Sequence, residues 1–259
     1  IFDHCLLYRQ TAIFFVCGNC RNQILSKIKL INMNAGEKNE LLVKMRLVQL
    51  RDSNAVLNIF GNNKVINSVG FKGIEYRPLP TNLVDLKMLT ERQISDISAE
   101  MGIGKAALFD KADVFINGEG YSLKSLETAP PAIINHTARP GWERVCRVVG
   151  CNINELDDIV AKYWELRKGG IIKEDSHNSD STSPFKDHKT YLLPILNYFT
   201  FKGSATKESP SPAKFILDVS NPLDISTWTF YDERFFFFFL DKLIFSIRAN
   251  MGMKNYAII

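Results

Sequence analysis

The chain lacks most of the features that settle a protein's class at once. Its formal net charge is only +4 over 259 residues, which excludes a generally polybasic nucleic-acid binder and leaves attraction to an acidic partner to a local basic face. No apolar run approaches the length of a membrane span, so no membrane partner is expected, and no internal repeat marks a solenoid or propeller. Cysteine is scarce and odd in number, five in all, which argues against a disulfide framework and for reduced thiols in a cytoplasm. Cys17 and Cys20 have zinc-knuckle spacing, but their nearest partners, His4 and Cys5, adjoin each other and fit a tetrahedral site poorly, so zinc is not expected. What remains is an ordinary globular composition, 46% hydrophobic and 23% charged, in a chain long enough for a substantial core.

The most informative stretch is 113-DVFINGEGYSLKS-125. Asn117-Gly118 is a strong hairpin signal, because both residues tolerate the positive φ of a type I′ turn. With those two as the loop, Asp113 pairs with Ser122. If all of Asn117-Gly118-Glu119-Gly120 form the loop, Asp113 faces Lys124 instead. Side chains alternate along a strand, so Asp113, Ser122 and Lys124 gather on one side in either register. A carboxylate is a hard oxygen ligand for Mg²⁺, which binds through one or two carboxylates plus substrate phosphate. An ammonium beside it can stabilise charge growing on a phosphodiester and orient the attacking water. The plainer alternative is a strand-start aspartate and an edge-strand lysine that discourages aggregation.

Upstream, 33-MNAGEKNELLVKMRLVQL-50 has helical spacing at Leu41, Met45 and Val48, and one turn back from Leu41 is Glu37. Asn34 as N-cap with Glu37 three residues later is also a capping box. Glu40 lies one residue off that stripe and is the reserve carboxylate.

These residues resemble the PD-(D/E)XK nuclease superfamily, whose signature is an Asp on one strand and an acid-x-Lys on the next. Here the second element reads Ser122-Leu123-Lys124, similar to the Ser-x-Lys form found in some type II restriction endonucleases. The opening NxGExxE at 34–40 and the segment 242-KLIFSIRANMGM-253 also look like parts of such enzymes. The resemblance implies an α/β (α+β) fold, a central mixed β-sheet flanked by helices with a restriction-endonuclease-like core. It implies Mg²⁺-dependent cutting of double-stranded DNA at a short specific sequence. Asp113 would hold the metal, with Glu37 or Glu143 as the second carboxylate and the Leu123 carbonyl as a neutral ligand. Lys124 would position the attacking water, and Ser122 would stand where the usual acid stands. A homodimer, a cognate DNA methyltransferase and a bacterial or archaeal cytoplasm are the implied setting.

Residues for gripping DNA are sought downstream. Arg139 and Arg144 lie in 127-ETAPPAIINHTARPGWERVC-146 and could meet DNA, as could His136, although a lone histidine is more often structural. In 195-ILNYFTFKGSATKESPSPAKFIL-217, Lys202, Ser204, Thr206 and Lys207 suit phosphate oxygens, and a solvated hairpin loop explains the same composition. Arg248 is a further candidate.

The rest of the organisation is coarse. Helices are expected at 33–50, 89–102, 140–149 and 153–168, strands at 54–60 and 64–72, and a mobile Ser-rich loop near 173–184. The run 235-FFFFF-239 suits a buried strand. Residues 1–32 lack amphipathic pattern and read as an extension ahead of a single domain, 33–259. The rival from another class is a helix-turn-helix regulator, since 90-TERQISDISAEMGIGKAALF-109 carries apolar residues on both sides of Gly102. A nuclease of the same fold acting on junctions or damaged DNA is the third reading.

Overall fold

The computed structural model describes residues 33–81, 85–125, 134, 137–173, 175–249 and 256–258. Residues 1–32, with Cys17 and Cys20, and the pair Asn135-His136 lie outside them. The described residues from 34 onward form one compact unit. Among the described residues no helix is long and apolar enough to cross a membrane.

Helix α1 (Ala35–Asp52) begins at Asn34, whose side chain accepts the Glu37 N–H at 2.8 Å. Leu42, Val43, Lys44, Met45, Leu47, Val48 and Leu50 are all buried, while Leu41, assigned to the inward stripe by spacing, is only partly so. A helix buried nearly all round has no single stripe to read. The expected strands at 54–60 and 64–72 are four short ones: a separate hairpin β1 (Val56–Ile59) and β2 (Asn62–Val65), then β3 (Val69–Phe71) and β4 (Ile74–Glu75). Helix α2 (Glu91–Met101) opens with a Thr90/Gln93 capping box and stops at Gly102, at φ +75°. Residues 103–113 contain no helix, so the second helix of a helix-turn-helix is missing there.

The main sheet has six strands in the order β10-β9-β6-β5-β3-β4, with β5 (Val114–Ile116), β6 (Glu119–Ser125), β9 (Phe215–Val219) and β10 (Trp228–Tyr231). Strands β6 and β9 run parallel and the other pairs antiparallel, which makes the sheet mixed. Asn117 and Gly118 both have positive φ, 51° and 81°, and Ile116 pairs with Glu119. The two-residue turn is therefore the one adopted, and the longer loop that would set Asp113 opposite Lys124 is not.

Each sheet face is covered. Ser125, on β6, takes a 3.1 Å hydrogen bond from Asn39 of α1. Phe115 and Ile216, which share the other face with Ser122 by register, pack into a core with helices α3 (Arg139–Val149), α4 (Ile153–Lys168) and α5 (Lys189–Asn197), through Trp142, Ile159 and Ile195.

Two expectations are corrected. The segment 173–184 contains strand β8 (Asp175–His177) of a four-stranded sheet, and Asn178 is fully buried, donating to Leu240 O and accepting from Ser183 Oγ at 2.7 Å. A polar composition here reflects an internal hydrogen-bond network as well as solvent contact. The phenylalanine run is a short helix α6 (Phe235–Phe239), not a buried strand; Phe236 is buried, whereas Phe237 and Phe238 are exposed. Phe235 stacks on Phe239 at 4.8 Å, one turn on. A homopolymer has no periodicity, so nothing in the run distinguishes helix from strand.

Candidate active site

Asp113 stands immediately before β5. Its N–H donates to Tyr121 O at 2.8 Å, one further rung of the β5–β6 ladder. Its carboxylate then takes the place of the next strand residue: Oδ2 accepts the Leu123 N–H at 2.7 Å and Ser122 Oγ at 3.4 Å. In a strand the N–H and C=O of one residue point to the same edge. The Leu123 carbonyl is therefore directed to the edge where Asp113 sits, beyond the end of β5.

The electrostatics of this corner are unusual because charges converge where water is thin. Burial raises the Asp113 carboxyl above the ordinary carboxylate value; the Lys124 charge, the Leu123 N–H and Lys44 oppose the rise, and Glu40 adds to it. Burial also lowers the Lys111 ammonium, helped by repulsion from Lys124 and opposed by Asp113. Lys124, Glu40 and Lys44 thus act on Asp113, and Lys124 and Asp113 on Lys111, at one end of the hairpin. Ser122, between them, is buried.

Glu40, the reserve carboxylate, is the one from α1 that acts on Asp113. Its Oε1 is held at 2.6 Å by Lys44, whose side chain is wholly out of solvent and also donates to Gly104 O at 3.2 Å. Glu37 instead lies in the first turn, its N–H on the Asn34 cap. Lys124 sits beside Asp218 in the parallel β6–β9 register, and Asp218 Oδ1 is buried without a hydrogen-bond partner.

The other candidates are dispersed. Glu143 lies between Arg139 and Arg147, at 3.6 and 3.7 Å. Arg139 holds Asp157 with its guanidinium fork, at 2.6 Å from Nη2, and so ties α3 to α4. Arg144 donates to Tyr198 OH and to Ser204 O. Ser204 bonds Thr206 Oγ1 at 3.1 Å inside a loop closed by the Gly203–Glu208 bridge. Lys202, Thr206 and Lys207 are exposed, with the Lys207 ammonium over the Phe109 ring at 3.8 Å. Arg248 lies in strand β11 (Ile244–Ala249), paired with Ala257.

No family model, curated protein or solved structure matches this chain.

Metal binding is a question of donor chemistry. Among the described residues no three His, Cys, Asp or Glu side chains come together as a cation cage. Asp113, one oxygen of Glu40 and the Leu123 carbonyl are hard oxygen donors, which suit Mg²⁺, an ion that keeps several waters and completes its shell with substrate phosphate. By donor type alone these groups suit such an ion. Two groups at the corner were not legible as site residues: Lys44 and Lys111. Lys44 had a usable signal, its i,i+4 spacing from Glu40; Lys111 lies two residues before Asp113.

Proposed function

We propose that this protein is a Mg²⁺-dependent nuclease that hydrolyses phosphodiester bonds of double-stranded DNA, with a restriction-endonuclease-like core and the specificity of a type II restriction endonuclease. One observation carries this reading: a partly buried carboxylate at a strand end, Asp113, whose Oδ2 accepts the Leu123 N–H at 2.7 Å on the strand that carries Lys124, with Lys124 and the α1 carboxylate Glu40 acting on it electrostatically. Magnesium bound there would polarise the scissile phosphate and lower the pKa of a bound water. Asp113 and Glu40 would supply the negative oxygens that hold the ion, with Glu40 in place of the expected Glu37, and the Leu123 carbonyl would add a neutral one. Ser122 steadies Asp113. Lys124 orients the attacking water and offsets charge developing on the phosphate. Lys202 and Lys207, both exposed, supply backbone contacts that weaken with salt.

The test is incubation of unmethylated plasmid DNA with the protein and Mg²⁺. Discrete fragments of fixed sequence support a restriction endonuclease. Cleavage confined to junctions or damaged duplex keeps the chemistry and changes the substrate. Specific retardation of a DNA fragment without any cleavage contradicts the nuclease reading.

A further inference from the structure

Leu108 is 90% exposed, the most open of the large apolar side chains among the described residues. An exposed leucine alone is ordinary. The mount that carries this one is not. It stands on a tight turn, 107–110, closed by the Asp110 N–H on Ala107 O at 2.9 Å and by Asp110 Oδ2, which accepts the Ala107 N–H at 3.1 Å. Lys72, between β3 and β4, reaches the same Oδ2 at 3.1 Å, and the Lys207 ammonium lies over the Phe109 ring at 3.8 Å. On one side of the turn Gly104 O takes the Lys44 ammonium at 3.2 Å, the group that also holds Glu40. On the other, the Lys111 N–H is shared by Ser209 Oγ and Ser211 O, each at 3.0 Å, and Asp113 follows two residues later. The turn is thus tied to the Asp113 corner on both sides and holds an apolar tip out into solvent.

The charge around that tip is one-sided. Across 103–112 and 202–212 the basic residues are Lys105, Lys111, Lys202 and Lys207, and the acids are Asp110 and Glu208. The Asp110 side chain is wholly out of solvent, whereas Lys105, Lys202 and Lys207 are exposed. An apolar tip among ammonium groups is poorly matched to an apolar protein surface. It is well matched to a nucleic-acid duplex, where rows of phosphates flank a stack of apolar base faces. We infer that Leu108 is a wedge that enters a base step of double-stranded DNA bound at the Asp113 corner, with Lys105 and Lys207 on the flanking phosphates. This rests on the nuclease reading above, which supplies the duplex. Parting two stacked bases is costly, and a tip that yielded would not part them; a turn bonded at its base and on both sides does not yield. The kink that such a wedge produces bends the backbone around the protein and lets it wrap more of the surface.

Leu108→Ala and Leu108→Phe, made in the full chain, separate the wedge from the fold. Both are expected to melt with the parent, because the side chain lies in solvent. Binding to AT-rich plasmid fragments is followed by gel retardation with Ca²⁺ in place of Mg²⁺, and unstacked thymines in the bound DNA are read by permanganate oxidation. The parent is expected to raise oxidation at the bound step. Leu108→Ala is expected to lose that signal and to bind on the order of 10-fold more weakly, the weight of one buried leucine, while Leu108→Phe keeps both. A parent that binds without raised oxidation, or a Leu108→Ala that binds and unstacks as the parent does, would overturn the wedge and leave the nuclease reading to the cleavage assay in Mg²⁺. A Leu108→Ala that keeps its DNA binding and loses binding to phosphatidylglycerol vesicles would make the leucine a membrane contact and overturn the wedge as well. A parent that unstacks thymines through Leu108 yet never cleaves in Mg²⁺ keeps the wedge and removes the nuclease reading. A parent that binds no DNA removes both.

Discussion

The corner around Asp113 and the joint between α3 and the 203–208 loop hold similar inventories, carboxylates and basic groups close together, and use them in opposite ways. At the joint the groups answer one another: Arg139 grips Asp157, Glu143 is shared by Arg139 and Arg147, and Arg144 bonds Tyr198 and Ser204. At the corner they do so only in part: Lys44 holds Glu40 and Asp113 accepts the Leu123 N–H, yet burial pushes Asp113 toward its neutral form and Asp218 keeps an unpartnered oxygen. Charges that satisfy each other hold a structure together. Charges held unsatisfied in a buried corner cost stability, and such corners are where functional sites concentrate.

The largest effect that would sharpen this contrast is on cleavage. Asp113→Asn and Lys124→Ala are each expected to lower the rate of plasmid cleavage on the order of 100- to 1,000-fold, while Arg139→Ala leaves it near the parent value. A matching loss in Arg139→Ala would dissolve the contrast.

Stability should move the other way at the corner. The folded protein binds the Asp113 proton more tightly than the unfolded chain does, because the folded-state pKa is raised. Its contribution to stability is therefore favourable at low pH and declines as pH rises from the ordinary carboxylate value through the raised one. Asp113→Asn removes that decline and can still accept the Leu123 N–H, so it is expected to be at least as stable as the parent at neutral pH. Denaturant titrations at neutral pH and near pH 4 check this; a less stable variant at neutral pH would contradict it.

Glu40 and Lys44 differ in burial, 23% and 0% of the side chain exposed, so the two halves of the pair should not be equivalent. Glu40→Ala strands a buried ammonium and is expected to cost roughly 3–5 kcal/mol. Lys44→Met leaves a carboxylate that water can reach and should cost less. Equal losses in urea unfolding would place the pair elsewhere than described.

The smallest effect concerns the exposed loop. Replacing both Lys202 and Lys207 by Ala is expected to weaken DNA binding uniformly across sequences and to reduce the salt slope by about 2. An unchanged slope would remove this loop from the DNA-binding face.

How much of this was legible in the residues varies with how local the cause is. The hairpin was readable because Asn117-Gly118 imposes positive φ locally, and the register that follows sets Ser122 against Asp113. The helices at 89–102, 140–149 and 153–168 followed from caps and periodicity, whereas the mixed sheet was only what the resemblance implied, since strand direction is set by the connections between elements. The choice between Glu37 and Glu40 was not readable, since α1 is buried on nearly every side and its stripe is set by what packs around it. The ties of Arg139 and Arg144 depend on residues far along the chain.

The most direct test of the central claim is a side-by-side assay of plasmid cleavage in Mg²⁺ by the parent, Asp113→Asn and Arg139→Ala, each first shown to be folded by its melting curve. Cleavage by the parent and by Arg139→Ala, with that of a folded Asp113→Asn lower on the order of 100- to 1,000-fold, is the predicted result. Cleavage by Asp113→Asn at the parent rate would contradict it and return the corner to the status of an unusually costly piece of structure.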